Sequence, residues 1–214
     1  MKYLKLFENF EDIHKICEKY GIKNYTINTD GSIDVDGDVD LSYRELTKLP
    51  LKFNNVSGNF YCYRNMLTTL FGSPKSIVGD FNCRDNNLTT LEGGPKSVGG
   101  GFYCSFNNLT SLEGSPNSVG NFDCHGNKLT SLEGSPKSVG GNFICSSNNL
   151  NTLEGAPKSV DSDFSCSWNK LTTLDGSPKS VGGGFDCDNN KILTFEGAPN
   201  HVGGDFLCDG NPIK

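Results

Sequence analysis

Four side chains of the sequence could supply a hydrolytic trio. Asp123 and His125 are two residues apart, so an extended strand would place both on one side. Ser105 or Ser146 would then lie on a neighbouring strand, about 4.8 Å away. A serine on an open sheet has neither the water-excluding pocket nor the oxyanion donors that make such a trio reactive. We therefore expect no catalytic residues and a protein that is not an enzyme, although loss of hydrolysis in His125→Ala would reverse that expectation.

A run of aspartates imitates a calcium-binding loop. Asp34, Asp36, Asp38 and Asp40 alternate along the chain, and Glu45 follows eleven residues after the first of them, which is close to the EF-hand spacing. Position six of that loop requires glycine, but this chain has a valine there. Valine, isoleucine and leucine also alternate with the acids, as they do in a strand. We favour rows of solvent-facing aspartates on strands, with a calcium site as the alternative.

The nine cysteines indicate a packed interior rather than a reactive site. Eight of them recur every 21 residues, apart from one 20-residue step, and this spacing matches no zinc pattern. The opening, from Met1 to Phe7, is followed at once by acidic residues, unlike a secretory signal. We expect free, buried cysteines in a cytoplasmic protein, with no metal and no cofactor. The eight recurring residues are Cys62, Cys83, Cys104, Cys124, Cys145, Cys166, Cys187 and Cys208.

These cysteines belong to a repeat that fills most of the chain. In the unit from Phe122 to Val139, an asparagine follows the cysteine by three residues and a leucine follows that asparagine by two. Eight units share this pattern, with isoleucine in place of leucine in the last two, and a weaker unit, Val39 to Leu46, precedes them, which gives nine units. A fixed period of this length indicates a solenoid whose units bury their apolar sides against one another. The asparagines are Asn65, Asn86, Asn107, Asn127, Asn148, Asn169, Asn190 and Asn211.

Each Phe-x-Cys segment alternates apolar and variable residues, as a short strand does. Stacked in register, these segments predict one long parallel sheet with columns of Phe, Cys, Leu and Val in its interior. The asparagine stands where the chain leaves the sheet. Its amide can pair with backbone groups that lose their ladder partners there, so we assign the asparagines a structural role.

The unit from Val119 to Leu129 matches the template L-x-x-L-x-L-x-x-N-x-L of leucine-rich repeats. With the Leu-Thr-x-Leu-Glu-Gly-x-Pro that follows, the unit resembles the short leucine-rich repeats of bacterial secreted effectors. The resemblance implies a curved parallel β-sheet of about nine units over residues 38–214, with extended and turn segments returning between strands. The repeats, and the opening from Met1 to Glu8, are also similar to those of uncharacterised bacteriophage proteins, which implies a host-directed role.

Residues 1–37 precede the repeats and predict a small N-terminal α/β cap. Apolar residues at three- and four-residue steps predict an amphipathic helix over residues 9–20, with Asn9 as its N-cap. Residues 25–35 predict a hairpin whose turn contains Asp30 and Gly31. No apolar run reaches membrane-spanning length, so we expect no membrane association.

The returning segments carry an acidic and a basic column, four residues apart. Such a pattern is typical of a solvated surface, and a formal net charge of −6 with a pI near 5.0 further disfavours nucleic acid as a partner. The acidic column is Glu92, Glu113, Glu133, Glu154, Asp175 and Glu196. The basic column is Lys75, Lys96, Lys137, Lys158 and Lys179.

Function is expected where the repeats differ, on the exposed, concave face of the predicted sheet. Aromatic side chains with arginines nearby are typical of protein-binding hot spots, and here they gather in the N-terminal half, whereas the C-terminal half is acidic. We therefore predict a protein-binding module, in a bacteriophage setting an inhibitor of a host or defence protein. The predicted contact residues are Tyr61, Tyr63, Arg64, Arg84, Tyr103, Phe106, Asp123, His125, Ile144, Trp168 and Asp186.

The alternative is a structural or assembly protein. The last unit, Phe206 to Lys214, contains no capping helix, which predicts an unpaired edge strand and an open core end. We expect a homodimer through that end, or a partner docked there. A small-molecule ligand is a weaker alternative because an open sheet has no deep pocket, and sequence drift without a ligand is the remaining one.

Overall fold

The computed structural model describes the backbone of residues 2–213 and the side chains of residues 10–213. The repeats form a solenoid of parallel strands with a period of about 21 residues, so the predicted fold class is confirmed. Nine two-residue strands form one sheet and define about eight turns. In chain order they are β3 (Val39–Asp40), β5 (Phe60–Tyr61), β7 (Phe81–Asn82), β9 (Phe102–Tyr103), β11 (Phe122–Asp123), β13 (Phe143–Ile144), β15 (Phe164–Ser165), β17 (Phe185–Asp186) and β19 (Phe206–Leu207).

The returning segments form ladders of their own on the opposite side of each turn, and these are parallel except for the antiparallel pair of β1 and β2. The strands are β1 (Tyr25–Ile27), β2 (Ile33–Val35), β4 (Phe53–Val56), β6 (Ser76–Ile77), β8 (Ser97–Val98), β10 (Ser118–Val119), β12 (Ser138–Val139), β14 (Ser159–Val160), β16 (Ser180–Val181) and β18 (His201–Val202). They make two five-stranded sheets, because no ladder joins β8 to β10. The interruption coincides with the single 20-residue unit, where one residue fewer separates Val119 from Phe122.

The interior of each turn is filled by the predicted apolar columns. Phe143 pairs in register with Phe122 on one side and Phe164 on the other, and its ring centroid lies 5.3 Å from each of theirs. Cysteine, leucine and valine columns line the same interior; Cys145, for example, is fully buried. One identical register thus repeats along the nine-stranded sheet, and the core grows by repetition instead of by a unique set of contacts.

The N-terminal cap consists of helix α1 (Lys2–Tyr20) and the antiparallel hairpin of β1 and β2. The hairpin was predicted correctly. The helix begins earlier than predicted, so Asn9 lies inside it and is not its N-cap. The side chains of Ile13 and Cys17 are buried, and β2 pairs in parallel with β4, which joins the cap to the return side of the solenoid.

In the part of the chain that the structure describes, α1 is the longest helix, and no helix is both long and apolar enough to traverse a bilayer.

Candidate functional site

The predicted contact residues lie on the solvent side of the nine-stranded sheet. We call this surface the strand face: in each unit it comprises the residue between Phe and Cys, the residue directly after Cys, and the next residue, which we call the exit position. Each Phe and Cys points into the core, so the residue between them points outward. All eleven predicted residues fall on this surface. Ten of them form three adjacent groups along it, and Trp168 stands apart from these.

The asparagine column fixes the shape of every strand exit. Asn127 donates from Nδ2 to the backbone carbonyls of Cys124, His125 and Cys104 of the preceding turn, at 2.9 to 3.3 Å. Its Oδ1 accepts the backbone N–H of Leu109 at 3.0 Å. Each buried asparagine thereby satisfies four hydrogen bonds across two turns, as the sequence predicted.

The exit position has a positive φ in every unit, which the sequence did not predict. Gly126 and Asn189, with φ of 65° and 55°, are residue types that tolerate this conformation. Phe106 and Trp168 adopt it as well, with φ of 51° and 55°. An aromatic residue held there costs about 1 kcal/mol of backbone strain. The nine residues are Tyr43, Arg64, Asp85, Phe106, Gly126, Ser147, Trp168, Asn189 and Gly210.

Three of these strained residues are large aromatics that remain exposed. Tyr43, Phe106 and Trp168 have 60%, 54% and 63% of their surface accessible. Neither burial of the side chain nor the backbone preference of the residue type therefore explains why aromatics occur at these three positions. Tyr43 was not among the predicted contact residues. The sequence did indicate Tyr43, because it occupies the same column as Phe106 and Trp168. It was missed because it belongs to the unit that matches the repeat least well.

The first group is a Tyr–Arg cluster at the N-terminal end. The Arg64 guanidinium carbon lies 5.3 Å from the ring centroid of Tyr43, and its Nη1 donates to that Tyr43 hydroxyl at 3.0 Å. The Arg84 guanidinium carbon lies 5.0 Å from the ring centroid of Tyr63. Both Nε atoms face one carboxylate, Asp85, at 3.7 and 3.8 Å.

Tyr61 and Tyr103 border a shallow hollow of about 400 Å³ beside this cluster. Burial, and to a smaller extent the carboxylates of Asp80 and Asp38, raises the pKa of the Tyr61 hydroxyl. The ring of Tyr103 lies directly over Gly101, where an added Cβ would collide with it. Tyr103 is therefore held against the sheet.

The second group contains Asp123, His125 and Phe106. The Nδ1 of His125 lies 2.6 Å from Asp123 Oδ1, and the Phe106 ring meets the imidazole edge-on with centroids 4.4 Å apart. The hydrogen bond to Asp123 raises the pKa of His125, although partial burial acts in the opposite direction. Among the described residues, no serine hydroxyl is hydrogen-bonded to this imidazole, and Ser105 is buried. The pair is present, but no nucleophile joins it.

The third group lies toward the C-terminal end. Ile144 and Asp186 line a hollow of about 570 Å³ together with Leu207. Asp186 accepts hydrogen bonds from the Ser165 hydroxyl at 2.8 Å and from the Asp188 backbone at 3.0 Å. Trp168 stands apart from this hollow. The three groups are adjacent on the sheet, since Asp123 pairs in register with Tyr103 and with Ile144, and they form one extended surface rather than one pocket.

The aspartates of the calcium-like run accept hydrogen bonds from different residues and do not converge on one point. Asp34 accepts from the Asn54 and Asn55 side-chain amides at 2.8 and 2.9 Å, and Asp38 accepts the Asn59 backbone N–H at 2.6 Å. The residues that the structure describes contain no cluster of three or more His, Cys, Asp or Glu side chains able to hold a metal ion.

Asp38 belongs to a further column that the sequence did not reveal, one residue before each strand of the nine-stranded sheet. At six of these positions a side-chain oxygen accepts the backbone N–H of the corresponding residue in the next turn, whereas Gly101 and Gly184 have no side chain to do so. Asn142, for instance, donates its backbone N–H to Asn121 and accepts that of Asp163. Asp163 in turn accepts the Gly184 backbone N–H at 2.8 Å, so this aspartate has a structural role.

All nine cysteines are free thiols. Seven of the eight that recur are buried, and Cys208 in the last described turn is partly exposed. Burial raises the pKa of the Cys187 thiol to about 12 and that of Cys124 well above its usual value. The buried thiols of the repeats are consequently in their protonated form at neutral pH, in which a thiol is a poor nucleophile.

The lysine and glutamate columns of the returning segments lie in solvent. In the described part of the chain, none of the basic-column lysines forms an ion pair. The two columns therefore contribute to solvation and net charge without direct pairing.

No protein-family model matches this sequence, and the comparison with curated proteins found no match either. The function of the chain must therefore be inferred from the strand face itself.

Proposed function

We propose that the chain is a non-enzymatic protein-binding module that holds its partner on the strand face. The observation that carries this proposal is the set of exposed aromatics at the exit position. Trp168 is 63% accessible with a φ of 55°, so it contributes little burial and retains backbone strain. A large aromatic that does not help its own fold is well suited to a binding hot spot.

The variant that tests this is Trp168→Asn. Asn189 already occupies the same position one turn later with the same φ, so we expect the free energy of unfolding to stay unchanged or rise by up to about 1 kcal/mol. Partner capture from a bacterial lysate, treated with nuclease, should be lost. Phe106→Asn should behave in the same way, because it removes the second aromatic from the same backbone conformation.

The matched control is Phe71→Asn. Phe71 is 64% accessible but lies outside the strand face, in the column that elsewhere holds glutamate. Capture of one protein by the wild type and the control, with loss in both strand-face variants, supports the proposal. Equal capture by the wild type and all three variants would show that the partner does not depend on these strand-face aromatics.

A finer proposal is that the chain is a leucine-rich-repeat protein of the short effector type, encoded by a bacteriophage, that inhibits a host or defence protein in the host cytoplasm. Its support is the similarity of the repeats, and of the opening from Met1 to Glu8, to bacteriophage proteins. The captured protein provides the test, because its own activity should fall when the chain is added. An unchanged activity would contradict inhibition.

A second candidate function is assembly through the C-terminal end, with a homodimer as the product. In the last described turn, Phe206 is 37% accessible, whereas Phe185 in the same column is fully buried. Phe195 is 48% accessible and lies edge-on to Phe206, with ring centroids 5.5 Å apart. Within the described residues, the outer side of β19 has no paired strand. Exposed core columns and a free strand edge favour association.

Light scattering over a range of concentrations tests the homodimer. We expect the mass of the wild type to rise toward that of a dimer with concentration, and Phe206→Asn to stay monomeric because it removes apolar surface from the end. Phe71→Asn should dimerise as the wild type does. A constant monomer mass for the wild type would contradict assembly.

A further inference from the structure

The two guanidinium groups of the Tyr–Arg cluster are fixed in place before any partner binds. Each lies over a tyrosine ring, Arg64 over Tyr43 and Arg84 over Tyr63, with distances of 5.3 and 5.0 Å to the ring centroids. The Tyr43 and Tyr63 rings also meet edge-on, 5.3 Å apart. Because the stacking restricts the long arginine side chains, less conformational entropy is lost when they bind an anion.

Neither guanidinium has a close anionic partner among the described residues. Asp85 faces both at 3.7 and 3.8 Å, well beyond the 2.7–2.9 Å or so of a charge-assisted hydrogen bond. Two cations thus share one distant carboxylate. About half of each arginine side chain is in solvent, 55% for Arg64 and 46% for Arg84, so their donors remain available for a bidentate contact.

The charge of the rest of the strand face limits what can bind there. Asp186 and Asp188 lie five strands from Arg84 in the sheet order, about 24 Å at the usual spacing between strands. An extended polyanion such as a nucleic acid, running along the face, would meet these carboxylates. Asp40 and Asp80 line the hollow beside the cluster, which further disfavours a dense row of phosphates. A short acidic segment bound at the two arginines need not reach Asp186 and Asp188, and next to Asp40 and Asp80 it meets the Arg84 guanidinium, which lines the same hollow.

We propose that the Tyr–Arg cluster of Tyr43, Tyr63, Arg64 and Arg84 binds a short acidic segment of the protein partner, whose aspartate or glutamate carboxylates pair with the two guanidinium groups. The proposal deepens the proposed function and rests on it only in taking a protein as the partner. It also fixes orientation, since the acidic segment fits one end of the strand face and is repelled at the other.

The test uses the full chain and an octaglutamate peptide as the probe, with binding followed by NMR at low ionic strength. We expect the wild type to bind the peptide, and the double variant Arg64→Gln with Arg84→Gln to bind it at least about tenfold more weakly, since charge-assisted hydrogen bonds are lost. The matched control, Lys75→Gln with Lys96→Gln, changes net charge equally on the return side and should bind as the wild type does.

Three outcomes would overturn the proposal: no binding by the wild type, equal weakening in both double variants, or tighter binding of an eight-nucleotide single-stranded DNA than of octaglutamate. Trp168→Asn separates this proposal from the proposed function. It should retain octaglutamate binding, because Trp168 lies outside the cluster, while it loses the captured protein. If the wild type does not bind octaglutamate but Trp168→Asn still loses the captured protein, the strand face binds a partner of different chemistry.

Discussion

Asn148→Ala should lower the free energy of unfolding by about 3–5 kcal/mol. The Nδ2 of Asn148 donates to the carbonyls of Cys124, Cys145 and Ser146 at 3.1 to 3.2 Å, and its Oδ1 accepts the Leu129 N–H at 3.0 Å. Alanine would leave the Leu129 N–H without a partner at a buried strand exit. Each of the three carbonyls would lose one hydrogen bond and keep another, from Asn127, Asn169 or the Gly126 backbone. A buried polar group left unsatisfied costs about 1–3 kcal/mol, and each further hydrogen bond that is lost costs about 0.5–1.5 kcal/mol. Urea denaturation followed by circular dichroism measures the loss.

The adjacent residue provides the control. Asn149 is only partly buried, and within the described residues its side chain makes no hydrogen bond, since its ladder contact to Leu129 uses the backbone N–H. Asn149→Ala should therefore change stability by less than about 0.5 kcal/mol. Similar losses in the two variants would show that the asparagine column does not stabilise the strand exits.

Phe143→Ala should cost a comparable amount, about 3–5 kcal/mol. Phe143 is fully buried, and its ring lies between those of Phe122 and Phe164. Removing the ring leaves a cavity between two turns. The cavity cannot collapse, because the repeated register holds the turns at a fixed spacing. Hydrogen exchange should show lost protection in β11 and β15, because each turn is stabilised mainly by its neighbours.

A substitution of the same type at the surface is the comparison. Phe71→Ala removes an equally large ring, but one that is 64% accessible, so we expect a change within about 0.5 kcal/mol. Phe143→Leu should retain most of the stability, since it keeps much of the apolar volume. A large loss in Phe71→Ala would contradict the assignment of the core to the phenylalanine column.

The architecture followed from the repeat because one period fixes many contacts at once. Aligning the units on Phe122 and Phe143 already gives their pairing in the sheet, and the buried columns follow from strand alternation. The asparagine contacts were predictable for a similar reason, since an amide at a strand exit has few alternative partners. The start of α1 was not, because local sequence signals define the ends of an element less well than its existence.

The strand face was less predictable, because its residue types are mixed. Aromatic residues such as Phe106 and Trp168 rarely adopt a positive φ, so their presence at the exit position gives no sign of it. Only the glycine, asparagine and aspartate residues in the same column indicate this conformation. The side-chain ladder through Asn121 and Asn142 was missed because its members alternate between asparagine, aspartate and glycine. The distances within the Tyr–Arg cluster depend on rotamers that no periodicity encodes.

The 20-residue unit before Phe122 interrupts the regular stacking on one side of the solenoid only. The nine-stranded sheet passes through it without interruption, from β9 to β11, while the return side has no ladder between β8 and β10. Bending the solenoid at this step deforms one backbone ladder, whereas bending it between most other turns deforms two. We therefore expect bending of the solenoid to be concentrated between the turns that carry the Tyr–Arg cluster and those that carry Trp168.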